Sequence, residues 1–434
     1  MMRSLYSGVA GLRTHQTKMD VIGNNIANVN TVGYKSQTVV FSDVLYQTTQ
    51  AASGANNETG AGGTNAKQIG LGSTVSAIST KISETGGYQS TNNPFDLMIN
   101  GDQFFVVNNN GSNYFTKAGN FQVDSNGTLV TSQGYKVMGW QADDDGNIQV
   151  DNVSSIDLYS TKNKYADAMA TSDITMSGNI NKEDESFSAA GGTRSVNATF
   201  YDQLGYKYQV TLQISQQDEY NYSIAAAGVT CNGQALNLTE AQLNGLINNA
   251  NISFSAADGS VQSGGTFTLN VSTLGIEALP DDINVDASSL TCKGTDTSVV
   301  ADRGDADGNG AGRTVGTMSE VSISKDGKIV ASYDNGEQRI IAQIVVAKFT
   351  NPSGLEKIGD NLFQATLNSG EFDGIGEDVT ADGGYFATGV LEMSNVDLAQ
   401  EFTDMITTQR GYQANSRIIT VSDTMLEELI NLKR

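Results

Sequence analysis

The sequence predicts an α+β chain, mainly β, in which long N- and C-terminal helices pair in coiled-coil fashion and enclose nested β-rich inner and outer domains. Three observations predict it. Apolar residues recur in sevens at both ends of the 434-residue chain. The body between them is rich in Gly, Asn, Ser and Thr, with Asn-Gly and Asp-Gly pairs separating short apolar runs. The ends also carry opposite charge, +3 over residues 1–35 and −3 over residues 392–434.

The first element, residues 1–30, reads as a helix. Leu5, Leu12, Met19 and Ile26 form one line, with Val9, Gln16 and Gly23 on a second. That spacing belongs to a helix packing along a helical partner. Gly8 and Gly11 each weaken it by about 1 kcal/mol relative to Ala, so it should be poorly ordered until it packs. The last element, residues 394–434, places Leu398, Met405, Tyr412, Ile419 and Leu426 on one line. Phe402, Gln409, Ser416, Asp423 and Ile430 form the second. Ser394, with Asp397 three residues on, offers a capping-box-like start. A helix from Val396 to Leu432 would be about 55 Å long at 1.5 Å per residue, which calls for a partner. Two separate surface helices are the alternative, but the opposite charges favour pairing. On both helices one row turns polar midway, which lowers the strength of a seam and can fix its register.

Between the helices the chain nests. Residues 31–69 form a connector, extended through Phe41 and Leu45, with a linker of small and polar residues at Ser53–Gly63. Residues 70–149 start the inner β-domain, where Leu97–Ile99, Phe104–Val107, Leu129–Val130 and Val137–Trp140 alternate with turn pairs. Residues 150–315 form an outer, β-rich insert. In it Tyr208, Val210, Leu212 and Ile214 alternate with polar residues, a half-buried strand. Thr239 and Gln242 offer a capping box for one short helix. Gly304–Gly316 reads as the linker back. Residues 316–363, with an apolar run Ile340–Phe349, complete the inner domain, and 364–393 form the returning connector.

The net charge of −23 lies wholly within residues 36–391, which disfavours binding to nucleic acid or an anionic membrane. No apolar run approaches the ~20 residues of a membrane span, and Met1–Met19 lacks the continuous apolar core of a secretory signal. Cys231 and Cys292 are too few for a disulfide framework and have no metal-ligand spacing. His15 is the single histidine, so no Ser/His/Asp site or histidine metal site can be built. Asp305, Asp307, Asn309 and Gly310 match positions 1, 3, 5 and 6 of a calcium loop, but position 12 is Gly316 and no flanking helices are expected. An acidic linker is the simpler reading. The expectation is a chain without cofactor, metal or catalysis.

The segment GNNIANVNTVGYK, residues 23–35, holds Asn24, Asn25, Asn28, Thr31 and Gly33. It resembles the N-terminal signature of the bacterial flagellar rod and hook axial proteins. LEMSNVDLAQEFTDMITTQRGYQANSRII, residues 391–419, with Asn395 and Asp397, resembles the C-terminal signature of the same family. NPFDLMINGDQFFVV and YFTKAGNFQVDSNGTLVTSQGYKVMGW are similar to its β-domain. Beyond about residue 150 the resemblance thins. It implies a structural subunit that polymerises with itself into a curved tube outside the cell and transmits torque from rod to filament. It implies partners too: rod and hook–filament junction proteins, a hook cap during assembly, and the flagellar export apparatus, which passes the chain without a cleaved signal. Distal-rod members are expected to be much shorter and to lack a large outer domain, so the insert favours the hook branch. A secreted β-rich adhesin is the alternative from another class, but it leaves the paired terminal heptads unexplained.

Overall fold

The computed structural model describes residues 2–54, 62–143, 146–188, 192–247, 250–279, 282–432. Part of the expected linker, residues 55–61, lies outside them. The chain forms two compact units. One holds Met1–Ser160, Val321–Val330 and Arg339–Arg434; the other holds Thr161–Glu320 and Ala331–Gln338. The sequence places the insert at 150–315.

In the first unit the N-terminal helix runs from Met2 to Ala27 and the C-terminal helix from Leu398 to Asn431. Asp397, not Ser394, caps the latter, its carboxylate accepting from the Ala399 and Gln400 amides at 2.9 and 3.2 Å. An acid at this position also complements the helix dipole. The connector is a two-part β arm: Gln37–Asp43 pairs with Ser73–Thr80 and Tyr46–Gln50 with Lys67–Gly70, both antiparallel.

The inner β-domain follows from its apolar runs. Lys136–Gln141, Phe104–Asn109, Ser112–Thr116, Leu362–Gln364 and Glu356–Gly359 lie side by side in that order. Asn110 and Gly111 turn the first hairpin with φ of 51° and 88°, the left-handed pair that a two-residue turn needs. Phe104, Phe115, Phe349 and Phe363 fill the core edge to face. The run Ile340–Phe349 is not one strand. Ile344 pairs with Gly139, whereas Val346 pairs with Phe105, so the strand changes neighbours at the buried Val345. Tyr88–Ser90 against Val390–Glu392, and Leu97–Asn100 against Tyr385–Thr388, close the domain's base.

The second unit stacks two sheets on one core. The first orders Thr266–Leu269, Ile283–Cys292, Asp173–Ile180 and Ser298–Arg303; the second runs from Thr193–Tyr201 through Lys207–Asp218 and Asn221–Cys231 to Ala250–Phe254 and Val261–Ser263. Met176, Val285, Phe200, Val210 and Ile252 share the space between them. Strand 207–218 alternates inward and outward as the sequence predicts. Thr239 and Gln242 make both bonds of the capping box on helix Glu240–Leu246. The expected linker 304–316 is held in place: Ser172 donates to the Gly310 carbonyl at 2.9 Å, and Met169 and Arg313 form an antiparallel bridge.

Candidate assembly surface and the junction behind it

The two terminal helices pack on each other, antiparallel. Gly8 faces Ile419, Gly11 faces Asn415, and His15 lies on Gly411. Lys18 bonds Asp404 at 3.4 Å and Asn25 donates to Glu401 at 2.9 Å. Burial pushes the Glu401 carboxyl above its ordinary range, against the pull of the Asn25 bond.

The seam does not run along the heptad lines. On the N-terminal helix the buried residues are Gly8, Gly11, Thr14, Ile22 and Asn25; Leu5, Val9, Leu12, Met19 and Ile26 are only half-buried. On the C-terminal helix Thr408 and Ser422 are buried, and Met405, Ile419 and Leu426 half-buried. Leu398, Phe402, Tyr412 and Ile430 are exposed, at 39, 50, 39 and 69%. The reason is size. Gly8, Gly11 and Gly411 let the two backbones approach closely along one half of the seam, so the large side chains beside them sit on the flanks, while Ile22 is buried toward the junction. The polar row expected to weaken the seam mostly does not line it: Gln16, Gly23, Gln409 and Asp423 are exposed, and only Ser416 is half-buried.

The Asn-rich signature forms the junction where helix, arm and inner domain meet. Asn25, buried at the helix end, donates to the Gln37 carbonyl at 2.9 Å and accepts from the Tyr34 hydroxyl and the Gln37 amide. Asn28 bonds back to Asn24 and accepts from Thr31, closing the helix. Gly33 has φ +68°, and a Cβ there would lie 2.7 Å from the Ala118 amide, so no other residue fits. From the other signature, Asn395 accepts from the Ser36 amide at 2.7 Å and donates to the Lys81 carbonyl at 2.9 Å.

Sequence reasoning missed the ion pair at the centre of this junction. Lys35 and Glu392 meet at 2.8 Å with side chains 1% exposed. Lys35 also donates to the Glu84 carbonyl, and Glu392 accepts from the Gly86 amide. Lys357 lies over the Tyr34 ring and donates to the Lys35 carbonyl; burial brings its pKa down to about 8. Lys117 is likewise brought down to about 8, first by burial and then by Lys35. The pair members are 357 residues apart, and a lone lysine beside a tyrosine gives no sign in sequence that it is buried.

The calcium-loop candidate is a turn whose leading acid is engaged by its own loop. The Asp305 carboxylate accepts from the Asp307 and Asn309 amides at 2.9 and 2.8 Å and from the Asn309 side chain. Among the described residues no group of three or more His, Cys, Asp or Glu side chains is placed to hold a metal. Cys231 and Cys292 are free thiols. No described helix is long and apolar enough to cross a membrane.

Known families match at the same places. The flagellar basal body rod protein model matches residues 5–35, the flagellar hook protein FlgE/F/G D1 domain residues 98–181, and the flagellar basal body rod FlgEFG protein C-terminal model residues 387–432. With the paired terminal helices and nested body, they define an axial protein of the flagellum. The chain belongs to the flagellar hook protein family: it is 38% identical to flagellar hook protein FlgE of Borreliella burgdorferi and 33% identical to that of Treponema pallidum, each over 100% of both chains. This is a family of structural proteins. Flagellar basal-body rod protein FlgG of Bacillus subtilis is 31% identical, also over 100% of both chains. Chain length therefore does not separate rod from hook, contrary to the expectation from the insert. The identity to the hook-named relatives carries the assignment.

Proposed function

We propose that many copies of this hook subunit polymerise into a short curved tube outside the cell, a flexible joint that transmits torque from rod to filament. Its terminal helices line the tube, the arms lie next, and the β units face outward. Its further partners are the rod and hook–filament junction proteins, a cap during assembly, and the flagellar export apparatus.

One observation carries this reading. The C-terminal helix leaves two apolar stripes uncovered: Leu398, Phe402 and Ile406 near its start, and Ile418, Val421, Met425 and Leu429 near its end, all at least 39% exposed. At 3.6 residues per turn the helix rotates about 200° beyond whole turns between Leu398 and Ile418. The stripes therefore leave on different sides. A single stripe suits a closed two-fold dimer, whereas two on different sides suit a heterologous contact that repeats without closing. Exposed Phe41, Leu45, Tyr46 and Ile69 on the arm add to the surface left for neighbours.

Electron microscopy of the concentrated, purified chain tests it. Tubes are expected, and a lysine at Phe402 or at Met425 should each abolish them. A chain that stays monomeric, or stops at a closed dimer, overturns the reading.

A further inference from the structure

We propose that two reciprocal keys, Asn415 set against Gly11 and His15 set against Gly411, fix the register in which the chain's ends pair for assembly; this rests on the hook-subunit reading. Each helix supplies one key and one notch. A Cβ at Gly11 would lie 2.6 and 2.9 Å from Asn415 Nδ2 and Cγ, and one at Gly411 would lie 2.7 Å from His15 Cε1 and Nε2. A methyl group at either position would have to push the facing key out of its seat. The imidazole is backed by the Phe41 ring, edge to face at 5.9 Å. Its Nδ1 is buried without a hydrogen-bond partner, so shape rather than bonding seats it.

The seam needs such a device. Leu5, Leu12, Met19 and Ile26 repeat every seven residues, as do Met405, Tyr412, Ile419 and Leu426. A slide by one heptad would bring like against like along the flanks of the seam. Asn25–Glu401 and Lys18–Asp404 hold the end of the seam nearest the junction; beyond them the buried Thr14, Thr408 and Ser422 are too alike in size to resist a slide, and there the keys act. The keys do not repeat. A seven-residue slide would set His15 against Ile418 or Asp404, and Asn415 against Lys18 or Ser4, where no notch exists. Gly8 provides a control: a Cβ there would lie 3.4 Å from Ile419, an ordinary contact.

The test is a set of full-length variants read by the critical concentration for tube formation. Gly8→Ala should leave it unchanged or lower. Gly11→Ala and Gly411→Ala should each raise it about tenfold, as overpacking does. Asn415→Ala should rescue Gly11→Ala, and His15→Ala should rescue Gly411→Ala, but the crossed pairs should not. His15→Ala with Asn415→Ala, which removes both keys without a clash, should also raise it about tenfold. Wild-type assembly by that variant, or rescue by the crossed pairs, overturns the lock. Hydrogen exchange at residues 8–22 of the unassembled chain reads the same variants, with faster exchange where register is lost. If the parent chain forms no tubes, the hook reading fails while this second readout still decides the lock.

Discussion

Lys35 and Glu392 show how one contact ties distant chain segments. A buried pair is a weak source of stability, but removing one partner leaves an uncompensated charge. Lys35→Met should therefore destabilise the first unit by about 3–5 kcal/mol, read as a lower calorimetric transition for that unit. Lys35→Met with Glu392→Leu should recover much of the loss. His15 gives a pH dependence of definite sign. Burial, then Lys18, hold its pKa below the ordinary value. Asp404 across the seam is engaged by Lys18, Arg410 beside Gly411 bonds Gln413, and Asp43 lies two residues past Phe41. The folded state thus favours neutral imidazole. That stabilisation is fully present above the unfolded pKa of about 6.5 and is lost as pH falls from there through the lower folded pKa. Melting of the helix pair should drop between neutral and mildly acidic pH, and His15→Gln should flatten the profile. An unchanged slope in that variant would refute the assignment.

The N-terminal helix illustrates how an element's weakness can be its function. From sequence, Gly8 and Gly11 appear only as lost helix propensity, and alanine at both should help. The seam divides them. Gly8→Ala should stabilise the helix by up to about 1 kcal/mol, while Gly11→Ala meets Asn415. The helix still depends on its partner, because an isolated helix of this length is marginal. In a chain cut after residue 393, amides of residues 2–27 should exchange near the unprotected rate, and in the full chain those facing the seam should be protected. Equal protection in both would mean the helix stands alone.

For the whole molecule, the base of the inner domain is closed by strand 88–90 on 390–392. A fragment of residues 88–392 should fold, show β-rich circular dichroism and melt cooperatively. Without either helix it should form no tubes at any concentration. Tubes from this fragment would remove the terminal helices from assembly altogether.

The sequence by itself determined the elements whose signals are local. The turn at Asn110-Gly111, the alternation along 208–214, the capping box at Thr239 and Gln242, and the helices at both ends are each written within a few residues. It also determined that the ends pair, because repeat and charge are legible without knowing which faces touch. Tertiary structure decided what depends on the distance between backbones. Heptad reading assigns the seam to the largest apolar side chains, but closest approach is set by the smallest, and so Gly8, Gly11 and Gly411 left Leu5, Leu12 and Tyr412 on the flanks. It decided the cap as well, since backbone geometry placed Asp397, not Ser394, at the first free amides. Burial of Lys35 against Glu392 came from the same source: a charge is buried only where folding brings its partner, and no pattern along the chain records that meeting.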